Sequence, residues 1–229
     1  MKIEVWSDIA CPYCYVAHTR LAAALARFEY KDSVQMVMRS FELEPDMAQE
    51  PMESQHHAVM RKYRQDSLSA QHTLDQAAAA AALSGIEINW DRVITTNTFN
   101  AHRLIHFART IGKAAEMEKR LFEAYFTRGE HIGRDEVLEE IAREFGLDAR
   151  EMLRQNQFGP LVRKDEKDAA DFRIRAVPYM LFDEKFAVKG ARTEDEFLEL
   201  LHEFRLEAIK CGIEERPEAP GCEDGFCGI

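Results

Sequence analysis

Two cysteines separated by two residues stand where a short β-type run gives way to a helix, and this placement restricts the fold more than any other feature. The motif is Cys11-Pro12-Tyr13-Cys14, directly after the run at 3–7. Backbone N–H groups at a helix start lack intrahelical acceptors and the helix dipole is positive there, so a thiolate is stabilised. Pro12 suits this first turn because its missing N–H costs nothing there. The pattern predicts a redox pair, with Cys11 as the acidic, accessible nucleophile and Cys14 as the resolving thiol.

The order of predicted elements is β-α-β, then a helical block, then β-β-α. A helix at 12–28 precedes a strand-like alternation at 33–42, and helical signals dominate from 45 to 171. Two strand-like runs at 177–188 follow, and a capping box at 193–196 opens a last helix. These elements predict an α/β fold interrupted by helices.

The boundaries of this organisation follow from the same pattern. We predict a discontinuous α/β domain at 1–45 and 172–212, a helical insertion at 46–171, and a C-terminal tail at 213–229 rich in Pro, Gly and Glu. Within the insertion, 52–83 is predicted as one helical stretch. A chain of 229 residues is long enough to bury a sizeable core in either arrangement.

The charge balance excludes some classes of partner. The net charge is −11, from 30 basic and 41 acidic residues, so we predict no nucleic-acid binding. No stretch approaches the roughly 20 apolar residues that cross a membrane. Lys2 and Glu4 interrupt the first apolar run, unlike a secretory signal. We therefore expect a cytoplasmic location, where structural disulfides are unusual and the five cysteines need another explanation.

Four strings, in the same order along the chain, resemble the FrnE-like branch of the DsbA family. They are SDIACPYCY at 7–15, FELEPDM at 41–47, NTFNAHRLIH at 97–106 and VPYMLFDEKFAVKGA at 177–191. The resemblance covers nearly the whole chain. It implies a thioredoxin-like fold with a large all-helical insertion, in agreement with the element order.

The resemblance also implies roles for residues outside the cysteine motif. Pro178 would follow a cis peptide bond in a loop facing the motif, and the backbone of Val177 would pair with an extended substrate. Asn97, Thr98 and Arg103 would lie near the cleft on an insertion helix, although helix capping explains Asn97 or Thr98 at least as well. The predicted substrate-binding residues are Val177, Pro178, Pro12, Tyr13, Asn97, Thr98 and Arg103.

A second cysteine pair, Cys222 and Cys227, lies in the acidic tail. The neighbouring Glu223 and Asp224 disfavour a thiolate, so we interpret the pair as a relay exchanging disulfides with the first motif. A similar C-terminal pair is seen in some FrnE-like proteins. Two alternatives stay open, namely idle cysteines in a disordered tail and a zinc site of four thiolates shared with the first motif.

Metal and organic cofactors are not predicted. His102 and His106 are four residues apart and could face one way on a helix, but no HExxH pattern or third ligand accompanies them. Cys211 stands alone and is typical of a buried small hydrophobe. The reversible disulfide of Cys11 and Cys14 would itself carry the electrons, with glutathione or another thiol as co-substrate.

The sequence thus predicts a thiol–disulfide oxidoreductase acting on a thiol- or disulfide-bearing protein or small molecule. A cytoplasmic address favours the reductase or isomerase direction over net oxidation. One rival is a glutathione-dependent isomerase or transferase of the kappa or 2-hydroxychromene-2-carboxylate isomerase type, which usually has serine where Cys11 stands. The other is a non-catalytic metal-binding or redox-sensing protein. No pattern indicates an oligomeric state.

Overall fold

A computed structural model describes residues 1–50 and 53–210 of the chain. Its four-stranded sheet has the order β2-β1-β3-β4. Strand β1 pairs parallel with β2 and antiparallel with β3, and β3 pairs antiparallel with β4. The strands are β1 (Lys2–Ser7), β2 (Gln35–Ser40), β3 (Tyr179–Phe182) and β4 (Phe186–Lys189). The central strand β1 therefore carries the cysteine motif at its carboxyl end.

Helices occupy most of the chain between β2 and β3. These helices are α2 (Gln55–Tyr63), α3 (Ser67–Ala82), α4 (Phe99–Arg109), α5 (Ala114–Phe122), α6 (Asp135–Glu144), α7 (Arg150–Arg154) and α8 (Gly159–Asp171). Helix α1 (Pro12–Arg27) connects β1 to β2, and helix α9 (Glu194–Lys210) follows β4. Helix α1 packs against α9. The predicted capping box opens α9, where Thr193 Oγ1 accepts from Glu196 N at 3.2 Å. The predicted α/β class, with helices between β-α-β and β-β-α, is confirmed.

The stretch predicted as one helix at 52–83 is two helices, so that prediction is wrong. Helix α2 ends at Arg64, which adopts a left-handed conformation with φ of 52°. Helix α3 begins after Asp66, whose Oδ1 accepts a hydrogen bond from Ser69 N at 2.7 Å. A side-chain cap of this kind satisfies a backbone donor at a helix start, so Asp66 favours a new helix over continuation. Helices α2 and α3 consequently form a hairpin.

Buried apolar side chains form one large cluster and smaller ones. The large cluster, called the main core below, joins β1, α1, α9 and several helices of the predicted insertion. It therefore extends across the boundaries predicted at 45 and 172, and the division into two domains stays a prediction. A hairpin cluster of Val59, Ala70 and Leu74 lies between α2 and α3.

Cys211, Cys222 and Cys227 lie outside the described residues, so the relay stays a prediction. Among the helices within 1–50 and 53–210, none combines the length and apolar character that crossing a bilayer requires.

Candidate active site

The cysteine motif lies at the junction that the sequence predicts. Cys11 is the N-cap residue of α1 and Pro12 occupies the first helical turn. Cys11 N donates to Asp8 O at 3.0 Å, and Cys14 N donates to Cys11 O at 3.0 Å. Both cysteines are free thiols. The tight turn after β1 thus places the first sulfur at the positive end of α1.

The two thiols differ in acidity. Hydrogen bonding from the Cys14 side chain lowers the pKa of Cys11 below its ordinary value; burial opposes this, and the backbone N–H groups of Cys14 and Tyr13 add to it. Burial raises the pKa of Cys14 well above its ordinary value, and the neighbouring Cys11 raises it further. This difference makes Cys11 the thiol that ionises first.

Cys11 is less exposed than the sequence suggests. Only 6% of the residue is accessible to solvent, so the expectation of an openly accessible thiol is wrong. The loop before β3 lies against it, with Cys11 Sγ 3.7 Å from Val177 O. The Val177–Pro178 peptide bond is cis, as the resemblance implies. Cys11 is instead reached through a cavity that it lines.

This cavity has a volume of about 120 Å³ and lies between the start of α1 and the α2–α3 hairpin. Aromatic side chains form much of its wall, namely those of Tyr13, Tyr63, Trp90 and Tyr125. Tyr125 belongs to a π-helical segment, Glu123–Arg128, that continues α5. Such segments are frequent at functional sites. The arrangement can hold a small apolar group beside the Cys11 sulfur.

A buried acid follows β1 directly and was not singled out from the sequence as a site residue. Asp8 Oδ2 accepts from Leu43 N at 2.7 Å, and Oδ1 lies 3.5 Å from His102 Nε2. Burial acts to raise the pKa of Asp8, but pairing with His102 outweighs it and the pKa is below the ordinary value. The pKa of His102 is raised because the pairing with Asp8 outweighs burial. Both shifts favour the charged forms of these two side chains, which lie beneath the cysteine motif.

A second buried acid, Glu118 of α5, differs from Asp8 in the direction of its pKa shift. Burial raises its pKa to about 7, although a hydrogen bond with Ser7 acts in the opposite direction. His18 Nε2 lies 3.8 Å from Glu118 Oε2, and burial lowers the pKa of His18 to about 4. At neutral pH His18 is uncharged, so this contact is not an ion pair. Sequence analysis missed Glu118 because nothing near it in sequence marks it as buried.

The predicted substrate-binding residues of the helical region, Asn97, Thr98 and Arg103, have different surroundings in the structure. Thr98 lines the cavity. Asn97 Oδ1 accepts from Phe99 N at 2.9 Å, so its side chain caps the start of α4. Arg103 is buried, does not line the cavity and donates to Gln157 O at 2.8 Å, and its contact with substrate stays a prediction. Its guanidinium is engaged by backbone carbonyl groups at the end of α7 and after it.

The histidines of α4 pair with acids rather than with each other. His102 faces Asp8, and His106 Nε2 lies 3.1 Å from Asp165 Oδ2. Across 1–50 and 53–210, no group of three or more His, Cys, Asp or Glu residues is arranged to hold a metal ion. The His102–Asp8 pair links α4 to the residue that follows β1, and the His106–Asp165 pair links α4 to α8.

The sheet order, the cysteine motif at the start of α1 and the cis-proline loop beside it define a protein of the thioredoxin fold. The family model of the DSBA-like thioredoxin domain matches residues 2–202, and the chain belongs to this family.

Individual relatives support this placement. The structure of a probable DsbA oxidoreductase from Streptomyces coelicolor is 32% identical, with a TM-score of 0.81 over 100% of this chain and 96% of that one. The uncharacterized protein YwbO of Bacillus subtilis is 28% identical over 203 residues, which are 86% of this chain and 94% of YwbO. A cytosolic disulfide reductase, DsbM from Pseudomonas aeruginosa, shares the fold at 15% identity, with a TM-score of 0.65 over 90% of this chain and 100% of that one. A further structure of DsbM contains glutathione.

Proposed function

We propose that this chain is a thiol–disulfide oxidoreductase of the FrnE-like branch, with Cys11 and Cys14 as its redox pair. The observation that carries the proposal is the position of Cys11 as the N-cap residue of α1, with the cis-proline loop against its sulfur and Cys14 one turn further along the helix. The lowered pKa of Cys11 and the raised pKa of Cys14 agree with this arrangement. A thiolate is the nucleophile in disulfide exchange, and a thiol of high pKa stays protonated until it is needed.

The reaction follows from these two states. The Cys11 thiolate attacks one sulfur of a substrate disulfide, forms a mixed disulfide and releases one substrate thiolate, which takes a proton from solvent. Cys14 then loses its proton and attacks the Cys11 sulfur, which releases the second substrate thiolate and leaves the Cys11–Cys14 disulfide. The substrate gains two electrons and the protein loses two. Glutathione or another thiol reduces the protein in the reverse sequence.

Residues around the thiols would hold the substrate. The carbonyl of Val177 lies beside the Cys11 sulfur, where an extended peptide could pair with the loop through β-type hydrogen bonds. Pro178 shapes that loop, while Pro12 and Tyr13 lie at the mouth of the cavity.

The proposal also covers the direction of electron flow and the cellular location of the protein. We assign the reductase or isomerase direction in the cytoplasm, in accord with the name of one structural neighbour, a cytosolic disulfide reductase. We also retain Cys222 and Cys227 as a relay. Removal of the tail at 213–229 should then lower the turnover rate without changing the acidity of Cys11.

Single cysteine variants test the central proposal. Cys11→Ser should reduce insulin no faster than dithiothreitol alone, because it removes the attacking thiolate. Cys14→Ser should accumulate a mixed disulfide at Cys11, detected by mass spectrometry, because nothing resolves it. Cys211→Ser, outside both motifs, is the control and should keep activity. A Cys11→Ser variant with full activity would contradict the proposal.

The aromatic-lined cavity also suits the small electrophilic substrate of a glutathione-dependent isomerase or transferase. Such an enzyme needs neither thiol as an electron carrier. The Cys11→Ser, Cys14→Ser double variant separates the two functions when it is assayed with glutathione and an aromatic electrophile. Conjugation or isomerisation that persists in this variant would favour the rival function.

A further inference from the structure

We propose that the cavity beside Cys11 binds an uncharged, ring-sized apolar group, so that the disulfides preferred at this cavity are small, neutral and aromatic. This inference rests on the proposed redox function for its chemistry, but it concerns a binding site that can be measured independently.

The size of the cavity limits the ligand. Its volume is about 120 Å³. An apolar cavity of about 150 Å³ in another protein holds one benzene molecule. The present cavity therefore accommodates one aromatic ring or a group of similar bulk. A tripeptide such as glutathione is several times larger and would have to remain largely outside.

The cavity wall favours a flat apolar group. Tyr13 and Tyr63 are 42% and 56% exposed and both line the cavity. Trp90 lies on the wall with its indole N–H already donated to Leu74 O at 3.0 Å, so its ring offers contact area but no free donor. Aromatic rings attract one another in offset and edge-to-face arrangements. The wall thus presents ring surfaces from the mouth inward.

Charges on the wall disfavour an anion. Asp8 and Glu44 line the cavity, and Lys62 is the cation beside them. Glu44 Oε1 lies 3.6 Å from Lys62 Nζ, and Glu44 Oε2 also accepts from Arg61 Nη2 at 2.7 Å. Lys62 therefore already has a carboxylate partner. A ligand with two carboxylates would leave water without meeting a cation on the wall that lacks a carboxylate partner.

Three hydroxyl groups on the wall are hydrogen-bonded within the protein. The hydroxyl groups of Thr73, Thr95 and Thr96 all line the cavity and donate to backbone carbonyls, at 3.0, 2.7 and 2.6 Å. These three hydroxyls have no proton left to donate, so the polar groups of a ligand would recover few hydrogen bonds from them. An apolar ring makes no hydrogen bonds to water and therefore loses none when it binds.

The cavity and the cis-proline loop approach Cys11 separately. Val177 and Pro178 are absent from the cavity wall, whereas Cys11 lines it and contacts Val177 O. A ring bound in the cavity would place an attached disulfide at the Cys11 sulfur. The Cys11 thiolate forms a bond to the near sulfur and the far sulfur departs as a thiolate through the mouth. Cys14 then attacks Cys11 and releases the ring-bearing thiolate.

Two alanines of α3 provide a matched pair of variants. Ala77 is buried and lines the cavity, while Ala79, two residues further along the same helix, is exposed to solvent. Ala77→Phe fills the cavity, and Ala79→Phe adds the same side chain on the outer face. Ala77→Val, which adds only two methyl groups, is a second variant should the larger ring disturb α3.

The first measurement is binding of thioanisole, an uncharged aromatic thioether, followed by quenching of tryptophan fluorescence in the Cys11→Ser protein. Saturable binding is expected, unchanged in Ala79→Phe and weakened by about tenfold or more in Ala77→Phe, since one ring's burial is lost. Absence of saturable binding, or equal binding by both alanine variants, would overturn the inference. This measurement needs no redox activity, so it separates a failed cavity from a failed oxidoreductase.

The second measurement is kcat/KM for 2,2′-dithiodipyridine and for oxidised glutathione, each divided by its rate with dithiothreitol alone. The wild-type protein should favour the neutral aromatic disulfide, and Ala77→Phe should reduce that preference by about tenfold while it leaves the reduction of oxidised glutathione nearly unchanged. A preference for oxidised glutathione, or an equal loss for both substrates, would contradict the assigned substrate class.

Discussion

The main core completely buries large rings such as those of Phe122, Phe126 and Phe197, whereas the hairpin cluster consists of Val59, Ala70 and Leu74 with partly buried neighbours. Because hydrophobic stabilisation scales with the apolar area removed from water, the two regions are held with very different free energies. Local opening should therefore occur in α2 before it occurs in the sheet.

Cys11 lies at the border between these regions. The start of α1, which sets its acidity, belongs to the main core, while much of the cavity wall belongs to the hairpin. The reactivity of the thiol is consequently fixed by the firmly packed region. The selection of substrates depends on the lightly packed hairpin, whose residues can change with little effect on the acidity of the Cys11 sulfur.

The largest change in the free energy of unfolding is expected when a substitution removes an aromatic ring from the main core. Phe122 stacks on Tyr15 of α1 with ring centroids 5.1 Å apart. Phe122→Ala should lower the free energy of unfolding by about 3–5 kcal/mol, measured by urea denaturation. Leu206→Ala, at an exposed position of α9, is the control and should change it little. A loss below about 1 kcal/mol in Phe122→Ala would mean that the main core is not the principal source of stability.

The second prediction concerns buried charge in the main core. The pKa of Glu118 rises from 4.5 to about 7 on folding. The folded state therefore holds this proton more tightly, so stability is lost as pH rises from about 4.5 through 7 and stays reduced above. Glu118→Gln should raise the free energy of unfolding by about 2–3 kcal/mol at alkaline pH and change it little at acid pH.

Urea denaturation across the pH range checks this expectation. Glu116→Gln, at a half-exposed position of the same helix, is the matched control: burial is outweighed by pairing with Lys113, which lowers the pKa of Glu116, so this variant should not gain stability at alkaline pH. Hydrogen exchange of α2 should be insensitive to Glu118, because the hairpin cluster contains no ionisable side chain. Equal pH profiles for Glu118→Gln and the wild-type protein would refute the raised pKa.

The third prediction compares the same substitution in the two regions. Val59→Ala in the hairpin cluster should cost about 1–2 kcal/mol and accelerate exchange mainly in α2. Val16→Ala, at a buried position of α1 in the main core, should instead accelerate exchange of the most protected amides as global stability falls. Hydrogen exchange resolved by residue measures both. Uniform acceleration by Val59→Ala would show that α2 opens only with the whole molecule.

The smallest effect is expected at the thiol itself. The carboxylate of Asp8 raises the pKa of Cys11, so Asp8→Asn should lower that pKa further. The ultraviolet absorbance of the thiolate, followed against pH, measures the change. Glu44→Gln, which removes a carboxylate from the hairpin side of the cavity, should have less effect on Cys11. A rise in the pKa of Cys11 in Asp8→Asn would contradict the charge argument.

Local patterns were sufficient to predict the element order and the place of Cys11 and Cys14, since a strand, a turn and a helix start are all encoded within a few residues. The cavity could not be predicted in this way. Its wall joins Tyr13, Tyr63 and Trp90 from three separate segments, and their proximity depends on how α2 and α3 turn back on α1.

The error at 52–83 and the buried position of Arg103 have related causes. Periodicity continued through Asp66, although its capping hydrogen bond favours a new helix. Arg103 occupies a resemblance-bearing string, but the carbonyl groups that engage its guanidinium come from the distant segment around α7. Burial and long-range pairing decide both outcomes, and one sequence does not encode them locally.

The contact between Cys11 Sγ and Val177 O has a consequence for the order of events during exchange. A protonated sulfur can donate to that carbonyl, whereas a thiolate is itself an acceptor and repels the oxygen. Ionisation of the sulfur therefore releases a main-chain acceptor at the moment when the nucleophile forms. An incoming peptide would meet an ionised sulfur and an unoccupied carbonyl together, so deprotonation prepares attack and docking in one step.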